Sequence, residues 1–411
     1  MSPKFLHEVT SQCFFEAADQ LAELWTTKAE LAGADRAFEA QEDIRLATLD
    51  GIWNMCCGSS LGLLGARQQG LQQPRAVKRK DSLTAKFSKG EMPRFYEALQ
   101  SLLVALDWVL QGVSPRGYKL IFTYSGYLPR IERESRMILD QWIAVSRARV
   151  REKAPGMPCA LEEVLRKDLR LNAGLASEAV SDEALRSELL ELLITGHETT
   201  ASSISWALKY LTDHPQAQRR LRESLIAAFP AALPTATDLM TSSLPYLDAV
   251  IAETLRLSAT GPVSFRQTLT PCEIMGRWIP ADTPIILVTA GPSYNSSEVS
   301  PTKEKVKSQV SHAASPQENQ FATPLRAFAP ERWLANGKFD AGAVHMLPFS
   351  TGARGCFGKP IAMLEMRIMI AFLILRFEFP QLALSLSGYG AWDGLTRRPT
   401  SCYVSPRAIE N

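Results

Sequence analysis

One cysteine stands inside a glycine-rich turn. The run is Phe349-Ser350-Thr351-Gly352-Ala353-Arg354-Gly355-Cys356-Phe357-Gly358, and it leads directly into an apolar segment, Lys359 to Phe377. Backbone N–H groups and the positive end of a helix favour a thiolate placed there, the form that ligates metals and does redox chemistry. A free cysteine is also commonly a small buried hydrophobe, so the loop alone leaves Cys356 between ligand and core residue. A second group lies in Thr195-Gly196-His197-Glu198-Thr199-Thr200. Glycine, an acid and two threonines take positions where helix propensity favours Ala or Leu. Threonine can bond the backbone one turn earlier and bend a helix. The segment is either a solvent-facing polar patch or a local opening that presents Glu198 and Thr199 to a cavity. A third group is Glu253 and Arg256, three residues apart on one helical face and set among Val250, Ile251, Leu255 and Leu257. Those neighbours predict a buried pair rather than a surface one.

The elements that must hold these groups are mostly helical. Ser181 is an N-cap residue followed by Asp182 and Glu183, and Pro215 closes the stretch, which predicts one long helix over 181–214 with the threonines at its middle. Pro245 to Ser258 carries the Glu/Arg pair. Helical spacing of apolar residues also marks Leu6 to Leu31, Asp43 to Leu64, Phe95 to Leu110 and Tyr127 to Lys153. The Gln-rich, basic stretch Arg67 to Lys89 is expected to be a loop, with Arg75, Lys78, Arg79 and Lys80 as a solvated charge run. Lys119 to Thr123 is a candidate strand. Short runs at Ser264–Leu269, Cys272–Ile279 and Pro284–Thr289, punctuated by Gly276, Pro280 and Asp282, predict a small antiparallel sheet. Strand and turn signals alternate from Phe379 to Val404.

Bulk properties narrow the classes. With 411 residues, 46% hydrophobic and 21% charged, the chain is globular and long enough for a large core. A net charge of +2 leaves no electrostatic footprint for nucleic acid. The seven cysteines are scattered, odd in number and without a CxxC pair, which argues against a disulfide framework and a thiolate zinc site. The longest apolar run, Ile368 to Leu375, is far short of the roughly twenty residues that span a bilayer.

Taken in order, these motifs and Phe328-x-Pro330-Glu331-Arg332 resemble the cytochrome P-450 superfamily of heme-thiolate monooxygenases, over roughly residues 10 to 405. The resemblance implies a mainly α fold with small β-sheets, one domain spanning 1–411 that lacks the N-terminal part of the family fold. It implies heme b, with Cys356 as the axial ligand of iron and Phe349, Gly352 and Gly358 shaping the ligand loop. Arg354 and Arg266 would pair with the heme propionates, where a charged fork suits a carboxylate. Glu253, Arg256 and Arg332 would form an ion network under the loop, better regarded as orienting than stabilising. Glu198 and Thr199 would be the catalytic acid–alcohol pair that relays protons to dioxygen, and Gly196 would leave room for it. Ala259 to Phe265 would line a pocket for a lipophilic substrate. Electrons would come from an NADPH-cytochrome P-450 reductase, with Lys359 near the docking side. The implied role is oxygen insertion in fungal secondary metabolism. The competing readings are an inactive heme-thiolate fold or non-catalytic interaction protein, and a heme isomerase or dehydratase, which would not need the Glu198/Thr199 relay.

Two departures from the family pattern set further expectations. Family members of the microsomal type carry a membrane anchor and several elements before the match to Leu6. An intact member would sit at the endoplasmic reticulum membrane; this chain as written is expected to be cytoplasmic or peripheral, to be a truncated form or incomplete gene model, and to retain heme weakly. Val299 to Gln320 is Ser-, Lys- and Gln-rich without periodicity, which predicts a disordered insertion. Its ends can be encoded as an intron donor and acceptor, so a retained intron is the second expectation for it.

Overall fold

The computed structural model describes residues 2–33, 36–73, 76–79, 82–111, 114–153, 158–172, 180–289, 324–344 and 346–409. The expected insertion at 299–320 lies outside them, as do Arg75 and Lys80. The helices are α1 Pro3–Phe5, α2 Ser11–Ala32, α3 Gln41–Cys57, α4 Leu63–Leu71, α5 Arg94–Gln111, α6 Pro115–Tyr124 and α7 Tyr127–Glu152. They continue with α8 Ala160–Asn172, α9 Asp182–Asp213, α10 Pro215–Ala228, α11 Ala236–Thr241, α12 Pro245–Ser258 and α13 Lys359–Arg376. Small two-stranded antiparallel pairs decorate this helical body. The mainly α fold with small sheets is thus as expected.

Helix α9 is the axis of the molecule. The Ser181 hydroxyl accepts from Ala184 N at 3.2 Å and fixes its start. From His197 to Leu208 nearly every side chain is buried, because α3, α12, α13 and α7 all pack on it. Helix α13 is buried along most of its length from Ile361 to Leu375 and lies between α9 and α2. Close approach of α3 to α2 depends on Gly51, where a Cβ would stand 2.8 Å from Phe14 Cδ1. No helix among the described residues is long and apolar enough to cross a membrane.

Two local expectations are corrected. Lys119–Thr123 is not a strand but part of α6: Ser114 caps Gly117 N at 3.2 Å and Pro115 opens the first turn, which outweighs the β-propensity of Ile121 and Thr123. The stretch from Arg67 is not simply a loop. It completes α4 and forms a hairpin pairing Val77–Arg79 with Ala85–Phe87. Arg67 is buried because its guanidinium meets Glu42 at 2.9 Å and Asp43 at 3.6 Å, partners contributed by α3.

Candidate functional site

The most densely hydrogen-bonded part of the site is the knot around Glu253 on α12. Its Oε1 accepts from Arg256 Nη2 (2.9 Å), Arg332 Nε (2.9 Å) and the Ala329 amide (3.0 Å). Its Oε2 accepts from Arg256 Nε (2.8 Å) and Trp333 Nε1 (2.9 Å). Arg256 and Arg332 also donate to the carbonyls of Leu325 and Pro324, at 2.7 and 3.1 Å. A fully buried carboxylate therefore staples residues 324–333 to α12, which sets the start of the chain leading to the cysteine loop. Trp333 was not singled out by sequence reasoning, although an indole N–H beside Arg332 was a visible donor. Glu331 belongs elsewhere: it is half exposed and bonds Arg220 and the Tyr246 hydroxyl.

The Cys356 loop closes on itself through backbone bonds. The Cys356 amide donates to Phe349 O (2.8 Å) and the Gly355 amide to Gly352 O (3.0 Å). Gly352 has φ +66°, a left-handed conformation that favours glycine. Gly358 has φ −77°, and a Cβ there would lie 3.8 Å from Cys356 Sγ, an ordinary contact. Arg266, on the strand Val263–Gln267, donates to Ser350 Oγ at 2.8 Å and so reaches the loop from the side. The Lys359 ammonium lies 5.8 Å from the Phe349 ring centroid.

Cys356 differs from the other cysteines in exposure. Cys13, Cys56, Cys57, Cys159 and Cys402 are buried and Cys272 is half-buried, whereas Cys356 is exposed. Burial pushes the Cys159 thiol up to about 11 and that of Cys13 to about 12, so both are held as inert thiols. The small-buried-hydrophobe reading fits those residues and not Cys356. Arg354 and Phe357 (71%) of the same loop are exposed, as are Leu347 (50%) just before it and Phe265 (62%) on the strand that carries Arg266.

On α9, hydroxyls bond back along the helix. Thr195 reaches Glu191 O (2.8 Å), Thr199 reaches Thr195 O (2.7 Å), Thr200 reaches Gly196 O (3.0 Å) and Ser203 reaches Thr199 O (3.0 Å). Thr199 is half-buried. Glu198 points the other way, into protein: it is 2% exposed, 3.2 Å from Arg45 Nε and 3.3 Å from Arg398 Nη1. Arg398 in turn meets Asp107 of α5 at 3.3 Å. His197 is fully buried, with Nδ1 on Leu193 O, and burial lowers its pKa. The side of Gly196 that a Cβ would occupy is taken by Ile52 of α3, at 3.3 Å. Arg45 and Arg398 carry no local sequence signal. They come from α3 and from the C-terminal hairpin strand Arg397–Pro399.

A family model described as cytochrome P450 matches residues 3–298 and 310–384. A cytochrome P450 monooxygenase of Pestalotiopsis microspora, GME11363, is 31% identical over all of this chain and 74% of its own length. The monooxygenase xilC of Penicillium rubens is 30% identical over 95% of this chain and 70% of its own. Another relative, TRI13 of Fusarium sporotrichioides, is 28% identical over 100% of this chain and 76% of its own length. Among solved structures, the heme domain of cytochrome P450DA superposes with TM-score 0.68 at 18% identity, over 97% of this chain and 74% of that one.

Proposed function

Because the chain belongs to the cytochrome P450 family, we propose that it is a heme-thiolate monooxygenase that oxidises a lipophilic small molecule. The observation that carries the proposal is Cys356: an exposed thiol at the start of α13, on a loop whose base is stapled by Glu253. The donor set fits heme. It offers one accessible sulfur, guanidinium groups of Arg354 and Arg266 for two carboxylates, and apolar side chains of Phe265, Phe357 and Leu347 for a flat macrocycle. Bound through the Cys356 thiolate, heme would supply dioxygen activation, with the sulfur pushing electron density toward iron. Gly352 would let the loop backbone turn sharply, and Phe349 would flank the sulfur.

The chain's own residues would handle protons and substrate. Thr199 offers a hydroxyl on the partly open face of α9, and Glu198 is the adjoining carboxylate, oriented by Arg45 and Arg398. Turning the Thr199 O–H from Thr195 O to an acceptor in the pocket, with its oxygen taking a replacement proton from a water, would move a proton toward the pocket. Val263 and Phe265, both exposed, would contribute an apolar wall for the substrate. Electrons would come from an NADPH-dependent reductase. The relatives named above are fungal monooxygenases, and the role proposed for this chain is in fungal secondary metabolism.

The test is the carbon monoxide difference spectrum of the reduced, heme-reconstituted protein. A red-shifted Soret band in the parent chain and its loss in Cys356→Ser are expected. An unchanged spectrum in Cys356→Ser would overturn the assignment. The alternative reading, a heme-thiolate fold without turnover, shares this ligand loop. A normal spectrum with no substrate oxidation by reductase and NADPH would select it. The break in the family match at 299–309 supports reading 299–320 as an insertion. A mature message lacking these codons would make it a retained intron.

A further inference from the structure

Helix α5 carries a carboxylate that the proposed function does not use. Asp107 is buried, and both of its oxygens meet the C-terminal hairpin that pairs Ala391–Asp393 with Arg397–Pro399. Its Oδ1 accepts from the Leu395 amide at 2.8 Å. The turn is moulded to it: a Cβ at Gly394 would stand 2.3 Å from the same oxygen. Its Oδ2 lies 3.3 Å from Arg398 Nη1, and that one nitrogen also donates to Glu198 Oε1 at 3.3 Å. A guanidinium Nη carries two N–H groups in a fixed plane, so it can serve two acceptors at once.

The hairpin holds Arg398 from the other side. Thr396 Oγ1 and Ser202 Oγ of α9 share a hydrogen bond of 3.0 Å, and the Arg397 amide donates to Thr260 O at 2.9 Å. Trp206 Nε1 of α9 donates to Arg397 O at 3.0 Å. The backbone leading into Arg398 is therefore fixed to α9. Helix α5 packs on α6 and α7, and the contacts that join Asp107 to Glu198 run through this hairpin.

We propose that Asp107 is a positioning residue for Glu198 that acts through Arg398. The guanidinium is divided between two carboxylates, so the seating of α5 sets how closely Arg398 holds Glu198. The charges support the division. Glu198 also has Arg45 Nε at 3.2 Å, so Asp107, Arg398, Glu198 and Arg45 alternate in sign and balance. Without the Asp107 charge, Arg398 would close on Glu198 alone and withdraw its Oε1 from donors in the pocket. The functional meaning rests on the monooxygenase reading, in which Glu198 adjoins Thr199; the sharing itself is a property of the chain.

The experiment is a double-mutant cycle on Asp107→Asn and Glu198→Gln, measured by urea unfolding of the full chain. Asp107→Asn keeps an oxygen for the Leu395 amide and removes only the charge. Each single variant leaves Arg398 one carboxylate, whereas the double variant leaves it none. The double variant should raise the unfolding equilibrium constant about fivefold beyond the product of the two single increases. That excess should vanish when the cycle is repeated in Arg398→Gln. Additive effects would show that Asp107 serves the turn only, and a shortfall would show direct repulsion between the carboxylates. Either result, or an excess that persists in Arg398→Gln, overturns the proposal.

Isotope-edited infrared spectroscopy supplies the positioning readout. With labelled glutamate, the Glu198 carboxylate band is identified by its loss in Glu198→Gln. It should shift in Asp107→Asn and stay in place when the same substitution is made in Arg398→Gln. A band unmoved by Asp107→Asn, or moved equally in both backgrounds, would overturn the action through Arg398. If the double variant does not fold, the infrared arm decides. Neither readout uses heme chemistry, so failure here is distinct from failure of the carbon monoxide test.

Discussion

Two neighbouring regions of the chain are built on opposite terms. The Glu253 carboxylate is fully buried and takes hydrogen bonds from Arg256, Arg332, Trp333 and Ala329, all supplied by the protein. The loop farther along the chain leaves Cys356, Arg354 and Phe357 facing outward, closed by backbone bonds and touched at Ser350 by Arg266. One region satisfies itself and the other presents groups that a ligand would satisfy. Substitutions in the first should therefore register as stability, and those in the second as binding.

The largest expected effect breaks the closed region. Glu253→Ala strands two buried guanidiniums and should cost about 3–5 kcal/mol in urea or thermal unfolding; a loss under about 1 kcal/mol, the scale of a surface pair, would erase the distinction between the regions. Trp333→Phe keeps the ring and removes one donor to the carboxylate, so a loss of about 1.5–3 kcal/mol is expected from a bond to a charged group. The same denaturation series checks it.

Glu365→Gln sharpens the comparison from inside the core through its pH dependence. The folded acid has a raised pKa, so on raising pH the unfolded chain loses its proton first, and stability falls until the folded acid also ionises. The Gln variant lacks that loss. It should equal the parent in acid and exceed it at neutral pH in unfolding midpoint; an identical pH profile for the two proteins would contradict a raised Glu365 pKa. The smallest stability effect belongs to Cys356→Ser, within about 0.5 kcal/mol as for other exposed sites, measured without heme. That near-silence, set beside loss of the thiolate spectrum, is the signature of an open site.

Much of the fold was legible because its signals are local. Ser181 and Pro215 bracket α9, Pro245 opens α12, and the apolar run after Gly358 is α13. The two misreadings have different causes. Arg67 looked like loop surface because the carboxylates that bury it, Glu42 and Asp43, belong to the preceding helix. Lys119–Thr123 looked extended because propensity was weighed without the Ser114 cap. Of the residues named, Glu253 and Arg256 followed from their spacing, Cys356 from its glycine-rich loop, and Arg332 from the family resemblance. Arg398, which lies 200 positions from its partner Glu198, had no such signal.

The sequence by itself determined the residues able to do chemistry and the helices that carry them, since caps, prolines and apolar period act over one or two turns. Only the tertiary structure decided the state of each group. It buried five cysteines and exposed Cys356, turned Glu198 into a cage of two guanidiniums, filled the side of Gly196 with Ile52, and left Glu365 without a charge partner. Burial and pairing are set by what distant segments bring to a side chain, and those segments meet only when the chain is folded.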